Sequence, residues 1–186
     1  WYWVKNKIIV GCDLHNTLLL SNDAWINAFL KFEPSIDKDS LTKDIYNKKS
    51  RKELANLYRI DYEELLSEYH NLCSINKKLV LFIKQLQEKK FKVLLISSSN
   101  KEKVNTDLKK ISKYIIFDEI YTKENFKKNN AKNWDELLKK YKADFLVYIG
   151  NDYDEDIINN NKVISILSGH FLSELKEIGL LNERGM

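Results

Sequence analysis

The regular pattern of the chain begins with a short apolar run, Ile8-Ile9-Val10, that stops where Gly11-Cys12-Asp13 brings in a carboxylate. An apolar run of this kind, without alternation, predicts a strand buried on both faces. Phe91-Lys92-Val93-Leu94-Leu95-Ile96, Phe145-Leu146-Val147-Tyr148-Ile149 and Val163-Ile164-Ser165-Ile166-Leu167 read the same way, and Tyr114-Ile115-Ile116-Phe117 and Ile120-Tyr121 read as shorter extended pieces. Between these runs the apolar positions recur at helical spacing. Leu79, Phe82, Ile83 and Leu86 form one such face, and Val104, Leu108 and Ile111 another. A capped helix is expected over Asn133–Tyr141, and short helices over Ile157–Asn160 and Phe171–Ile178. Strands alternating with helices predict an α/β fold built on a parallel sheet covered on both sides.

One stretch departs from this alternation. From residue 20 to residue 76 no strand-like run occurs. Ser21-Asn22-Asp23 offers N-cap chemistry for a helix through Leu30, and Pro34, the one proline of the chain, breaks it. Leu41, Ile45 and Tyr46, then Leu54, Leu57 and Tyr58, recur at helical spacing. Asp61 caps a further helix with Glu63 and Glu64 in its first turn and Leu65, Leu66 and Tyr69 as its apolar side. The chain therefore reads as a core made from residues 1–19 and 77–186, with a small all-helical insertion over 20–76.

Length and composition narrow the class without changing this picture. A chain of 186 residues, 44% hydrophobic and 31% charged, fits one domain with an insertion and excludes wholesale disorder. The net charge of +4 is modest, and the lysine clusters at Lys48–Lys52 and Lys127-Lys128 are not interleaved with aromatic residues. No nucleic-acid partner is expected from that pattern. The two cysteines, Cys12 and Cys73, lie far apart, which suits a reducing compartment. No apolar run approaches the roughly 20 residues that span a bilayer, so no membrane partner is expected. Trp1-Tyr2-Trp3-Val4-Lys5 lacks a signal-peptide layout, and the expected location is cytoplasmic. Oligomeric state is not legible.

The chemistry gathers at strand ends. Asp13, Ser97 and the pair Asp152 and Asp156 each follow an apolar strand, and in a parallel sheet these ends share one edge, where ligands bind. Thr17 lies four residues beyond Asp13, and Asn16 suits the tight turn between them. Carboxylates crowded at one edge repel and raise one another's pKa. A divalent cation relieves that repulsion, and hard oxygen donors in small number suit Mg²⁺. Asp154 and Glu155 read more simply as the acidic first turn of a helix.

These residues resemble a known family. Asp13-Leu14-His15-Asn16-Thr17 resembles the D-x-D-x-T signature of the haloacid dehalogenase-like (HAD) hydrolases, with His15 in place of the second Asp. Ser97 at the end of its strand resembles the second motif, and Asn151–Asp156 resembles the acidic fourth motif, D-x-x-x-D. The third motif, a lysine ahead of the helix leading to the fourth, is assigned to Lys132, with Lys128 as the rival. The helical insertion falls where this superfamily carries a C1-type cap.

The resemblance implies a Rossmann-like three-layer core and a Mg²⁺-dependent phosphatase of a small phosphorylated metabolite. Asp13 would be the nucleophile, forming an aspartyl phosphate. Asp13, the backbone carbonyl of His15 and Asp152 would hold the metal, with Asn151 or Asp156 in support. Ser97 and Lys132 would hold the phosphoryl oxygens, and Thr17 would orient the nucleophile loop. His15 stands where the family's phosphatases carry the acid for the leaving group, which leaves a phosphosugar mutase reaction, another HAD reaction or a binding role as alternatives. Asn151 is a second departure, because one alignment of the acidic motif expects a metal-binding Asp there.

Overall fold

The computed structural model describes residues 7–169. Five strands, β1 (Ile8–Cys12), β2 (Lys92–Ile96), β3 (Glu119–Tyr121), β4 (Phe145–Gly150) and β5 (Val163–Leu167), form one sheet in the order β3-β2-β1-β4-β5. Every neighbouring pair is parallel. The continuous apolar runs are explained by burial: every residue of β1, and all of β2 beyond Lys92, is buried. The chain steps from β1 outward to β3, then returns to the other side of β1 for β4. The winding therefore reverses between β1 and β4, which opens a crevice at the carboxyl ends of these strands.

Register aligns those ends. Cys12 lies opposite Leu95 on one side and Ile149 on the other. Asp13, the loop after Ile96 and the loop after Gly150 thus leave the sheet side by side. Gly11 matters here because Tyr148 lies across it: a Cβ at Gly11 would come within 3.2 Å of both Ile96 Cδ1 and the Tyr148 ring.

Four helices follow the strand pattern, namely α5 (Lys77–Glu88), α6 (Lys101–Leu108), α7 (Ala131–Tyr141) and the single turn α8 (Tyr153–Asp156). Helix α5 buries Leu79, Val80, Phe82, Ile83 and Leu86. Helix α7 turns Trp134, Leu137 and Leu138 onto a core with Ile9, Leu94, Ile96, Leu146 and Tyr148. Trp134 meets the edges of Phe126 and Tyr148 at centroid distances of 4.9 and 5.2 Å. Such edge-to-face pairs add specificity to area burial.

Residues 19–76 form a compact unit of their own. This unit holds α1 (Ser21–Phe32), α2 (Lys38–Tyr46), α3 (Arg51–Leu57) and α4 (Tyr62–Leu72). Its core contains Leu41, Ile45, Leu54, Leu65 and Tyr69, and Trp25 stacks on Tyr69 at 4.1 Å. Arg51 lies over Trp25 and donates to the carbonyls of Lys49 and Ile45. An antiparallel bridge between Leu19 and Ile75 joins the unit's two ends.

Several boundaries differ from the sequence expectation, and capping explains most of them. Leu20 precedes α1 without a side-chain cap bond, so Ser21-Asn22-Asp23 lies inside the helix. Helix α7 starts at Ala131 because Asn130 caps it, while the Asn133 side chain accepts from the backbone of Lys127. The turn after β4 is Tyr153–Asp156, and Ile157–Asn160 is not helical: Asp152 accepts from the amides of Asp154 and Glu155 and starts the turn early. Tyr114–Phe117 is no strand. Tyr114 closes a turn onto Ile111, and Ile116 is 81% exposed. The expected helix Phe171–Ile178 lies outside the described residues. Among those residues no helix is long and apolar enough to cross a membrane.

Candidate active site at the strand ends

Asp13 is fixed at the reversal point by its own backbone and side chain. Its amide donates to Ile149 O at 2.9 Å, and its Oδ1 accepts from Leu14 N at 2.8 Å. The loop then closes as a turn, Leu18 N donating to Leu14 O, with Asn16 in the left-handed region at φ 59°. Asparagine takes that conformation at lower cost than most residues. Thr17 is buried, and its hydroxyl donates to Asn151 Oδ1 at 3.3 Å, which ties the β1 loop to the β4 loop.

The lysine that reaches Asp13 is Lys128. Its ammonium lies 3.3 Å from Asp13 Oδ2 and 2.6 Å from Asp156 Oδ1, and its side chain is 5% exposed. Trp134 donates its indole N–H to the Lys128 carbonyl at 2.7 Å, so the core of α7 fixes the segment that carries the lysine. Lys132, the residue expected from the sequence, lies one turn into solvent with an 80% exposed side chain, 3.8 Å from Glu136. That expectation is corrected for a simple reason: α7 begins at Ala131, and Lys132 falls on its outer face.

Asp156 is also placed differently from its expected role. Its Oδ2 accepts from Asn151 N at 2.9 Å and from Asp152 N at 3.0 Å. Its Oδ1 faces Lys128 and, at 3.3 Å, the Tyr148 hydroxyl. Both oxygens of this carboxylate, which is 1% exposed, are thus taken up by protein donors. Asp156 therefore shapes the β4 loop and holds Lys128, and has no oxygen to spare for a metal. Gly150 makes this possible, since a Cβ there would collide with the Asp156 carboxyl.

Charge in this cluster is strongly biased by burial. Desolvation pushes the Asp13 carboxyl above its ordinary range, and Asp156 adds to the rise while Lys128 opposes it. Desolvation also pulls Lys128 down, yet Asp13 and Asp156 together outweigh it and hold the ammonium above its ordinary range. Ser97 is buried at the end of β2. Its amide donates to Tyr121 O and its Oγ accepts from Ser99 N at 3.1 Å.

His15 turns to another partner. Its Nε2 lies 2.6 Å from Asp107 Oδ2 on α6, and its Nδ1 lies 3.2 Å from Ser99 Oγ. Neither Asp107 nor Ser99 stands out as a functional residue in the sequence. Asp107 does carry a signal, because it sits on the apolar stripe Val104, Leu108, Ile111 where an acid is out of place.

No protein-family model matches the chain, and no curated protein sequence matches it. Solved structures do. A hydrolase from Streptococcus pneumoniae TIGR4 is similar with a TM-score of 0.63 at 18% identity, over 94% of this chain and 98% of that one. A HAD phosphatase from Thermococcus onnurineus gives a TM-score of 0.56 at 17% identity, over 92% and 97% of the two chains. A HAD-superfamily hydrolase from Geobacter sulfurreducens PCA gives 0.55 at 13% identity, over 80% of each. The chain has a HAD-like fold.

Within this HAD-like fold the strand ends can be tested against a divalent cation. Among the described residues no group of three or more His, Cys, Asp or Glu side chains is gathered as a metal cage. The donor chemistry nonetheless fits a cation held in part by water, as Mg²⁺ is. Asp13 and Asp156 share one ammonium, Lys128. Burial disfavours an ionised Asp13, and a neighbouring divalent cation reverses that preference. With Asp156 committed to protein donors, the carboxylates that would hold such a cation are Asp13 and Asp152.

Proposed function

We propose that this protein is a Mg²⁺-dependent phosphatase of a small phosphorylated metabolite, working through an aspartyl phosphate on Asp13. The observation that carries the reading is the chain Asp13–Lys128–Asp156 at the sheet's reversal point: a buried carboxylate and a buried ammonium, both fixed by the core. Stability alone does not ask for such a cluster, because desolvating three charges costs several kcal/mol per ion. A HAD-like fold at low identity to phosphatases and hydrolases is consistent with it.

In this reading Asp13 attacks phosphorus, the bond from phosphorus to the leaving oxygen breaks, and water then hydrolyses the acyl phosphate to release inorganic phosphate. Lys128 and the Ser97 hydroxyl hold phosphoryl oxygens, so the positive charge and the donor are in position before the reaction starts. Thr17 and Asn151 keep the two loops in register. Mg²⁺, held by Asp13, Asp152 and the backbone carbonyl of His15, would supply charge neutralisation for the phosphoryl group. The helical unit, inserted directly after the nucleophile loop in the sequence, is assigned the choice of substrate.

The test is turnover of p-nitrophenyl phosphate with and without Mg²⁺. Wild type should release p-nitrophenol only with the metal, and Asp13→Asn should lower the rate by about 10³-fold or more. Release that persists unchanged in Asp13→Asn, or no release by wild type across phosphorylated metabolites, overturns the proposal.

A further inference from the structure

Asp107 stands in the last turn of α6 with a side chain 1% exposed, between the buried Val104 and Ile111. Two costs attach to an acid at that place. Burial of a carboxylate is expensive unless it is paired, and negative charge at a helix C-terminus opposes the helix dipole. A leucine would serve the packing of this stripe better. What the carboxylate does instead is receive His15 Nε2 at 2.6 Å.

The contact reaches further. His15 Nδ1 meets Ser99 Oγ at 3.2 Å, and Ser99 is itself fixed: its amide donates to Ser97 Oγ and its carbonyl accepts from Lys123 N, both at 3.1 Å. A continuous hydrogen-bonded line thus runs from the apolar face of α6, through the imidazole, to the loop that follows β2. A carboxylate offers only acceptors, so the nitrogen facing Asp107 must carry a proton. In the neutral imidazole that requirement selects the Nε2–H tautomer and leaves Nδ1 to accept from the Ser99 hydroxyl.

We propose that Asp107 is a positioning residue that locks His15 with Nε2–H toward α6 and Nδ1 toward Ser99. Ser99 is then the hydroxyl through which the imidazole reaches the strand-end site, next to Ser97. In the phosphatase reading, on which the catalytic part of this inference rests, the imidazole acts on the strand-end site through the Ser99 hydroxyl. The orientation of its ring is what turnover senses, while phosphate binding by Ser97 and Lys128 is left intact.

The experiment uses the whole chain with ¹⁵N-labelled histidine. A ¹H–¹⁵N correlation of wild type, with His15 identified by its loss in His15→Gln, should show the ring proton on Nε2. Asp107→Asn keeps the size but replaces an acceptor-only carboxylate with an amide that can donate or accept, so the fixed preference for Nε2–H should weaken and Nδ1–H should become populated. A wild-type proton on Nδ1 alone overturns the proposal. If Asp107→Asn fails to fold, the wild-type spectrum decides. With p-nitrophenyl phosphate, Asp107→Asn should lower kcat by about 10²-fold with KM nearly unchanged, the order that a misplaced positioned group costs. Asp107→Glu, which restores the acceptor, should recover part of the loss. A rise in KM with kcat unchanged overturns the positioning role. If wild type releases no phosphate at all, the phosphatase reading fails while the ring spectrum still judges Asp107.

Discussion

At the scale of single residues, the two lysines of this chain that compete for one role differ by environment alone. Lys128 is buried between Asp13 and Asp156, and Lys132 is exposed four residues on. Taking away one partner of a buried charge cluster leaves the others desolvated and unpaired, which costs about 3–5 kcal/mol. Lys128→Met should therefore lower stability by that order at neutral pH, whereas Lys132→Met should stay within about 0.5 kcal/mol of wild type. Urea denaturation midpoints check both. Asp156→Asn combined with Lys128→Met should recover part of the loss, since it removes one of the stranded charges. A sequence shows both residues as lysines near the start of a helix. Only the starting residue of α7, set by the Asn130 cap, decides which one points inward.

At the scale of elements, caps account for both the correct and the displaced boundaries. Asp61 accepts from Glu64 N at 2.9 Å and starts α4 where the sequence predicts it. Asp61→Ala should cost about 1 kcal/mol of stability through that lost bond, measured by the thermal midpoint. Asp152 is legible as a residue after a strand, yet it also caps α8, which draws the helical turn forward from Ile157. Asp107 is the least legible, since helical spacing draws attention to the apolar members of a stripe. An acid on such a stripe is the sign of a buried partner, and that partner, His15, is 92 residues away.

At the scale of the whole molecule, the edge of the sheet is secured by charge. Glu119 on β3 accepts from Lys140 Nζ at 2.5 Å, and from the Tyr141 and Tyr121 hydroxyls at 2.6 and 2.7 Å. Partial burial pushes the Glu119 carboxyl up, but the bonds from Lys140, Tyr141 and Tyr121 together hold it below its ordinary range. A carboxyl with a lowered folded pKa contributes stability that is present above the unfolded value, about 4.3, and is lost as pH falls through the folded value. Glu119→Gln should therefore cost about 1 kcal/mol or less at pH 7 after allowance for solvent screening, and the cost should shrink as pH falls below about 4.3. Thermal midpoints of the two proteins across this range check the convergence.

Local pattern along the chain was enough for the α/β class, the all-helical character of residues 20–76 and the identity of the strands that end in Asp13, Ser97 and Asp152. These follow from periodicity and from burial on both faces of a parallel sheet, which are properties of short stretches. The partners of those residues came from folding. Strand order brings β4 beside β1, the α7 cap selects Lys128, Gly150 admits Asp156, and α6 brings Asp107 to His15. Two of these, the β4–β1 pairing and the Asp107–His15 contact, join segments far apart in the chain, where charge and shape are matched in space and leave no fixed spacing to read. Asp13 is visible from its own strand, whereas the partner of His15 is a carboxylate that folding delivers from helix α6.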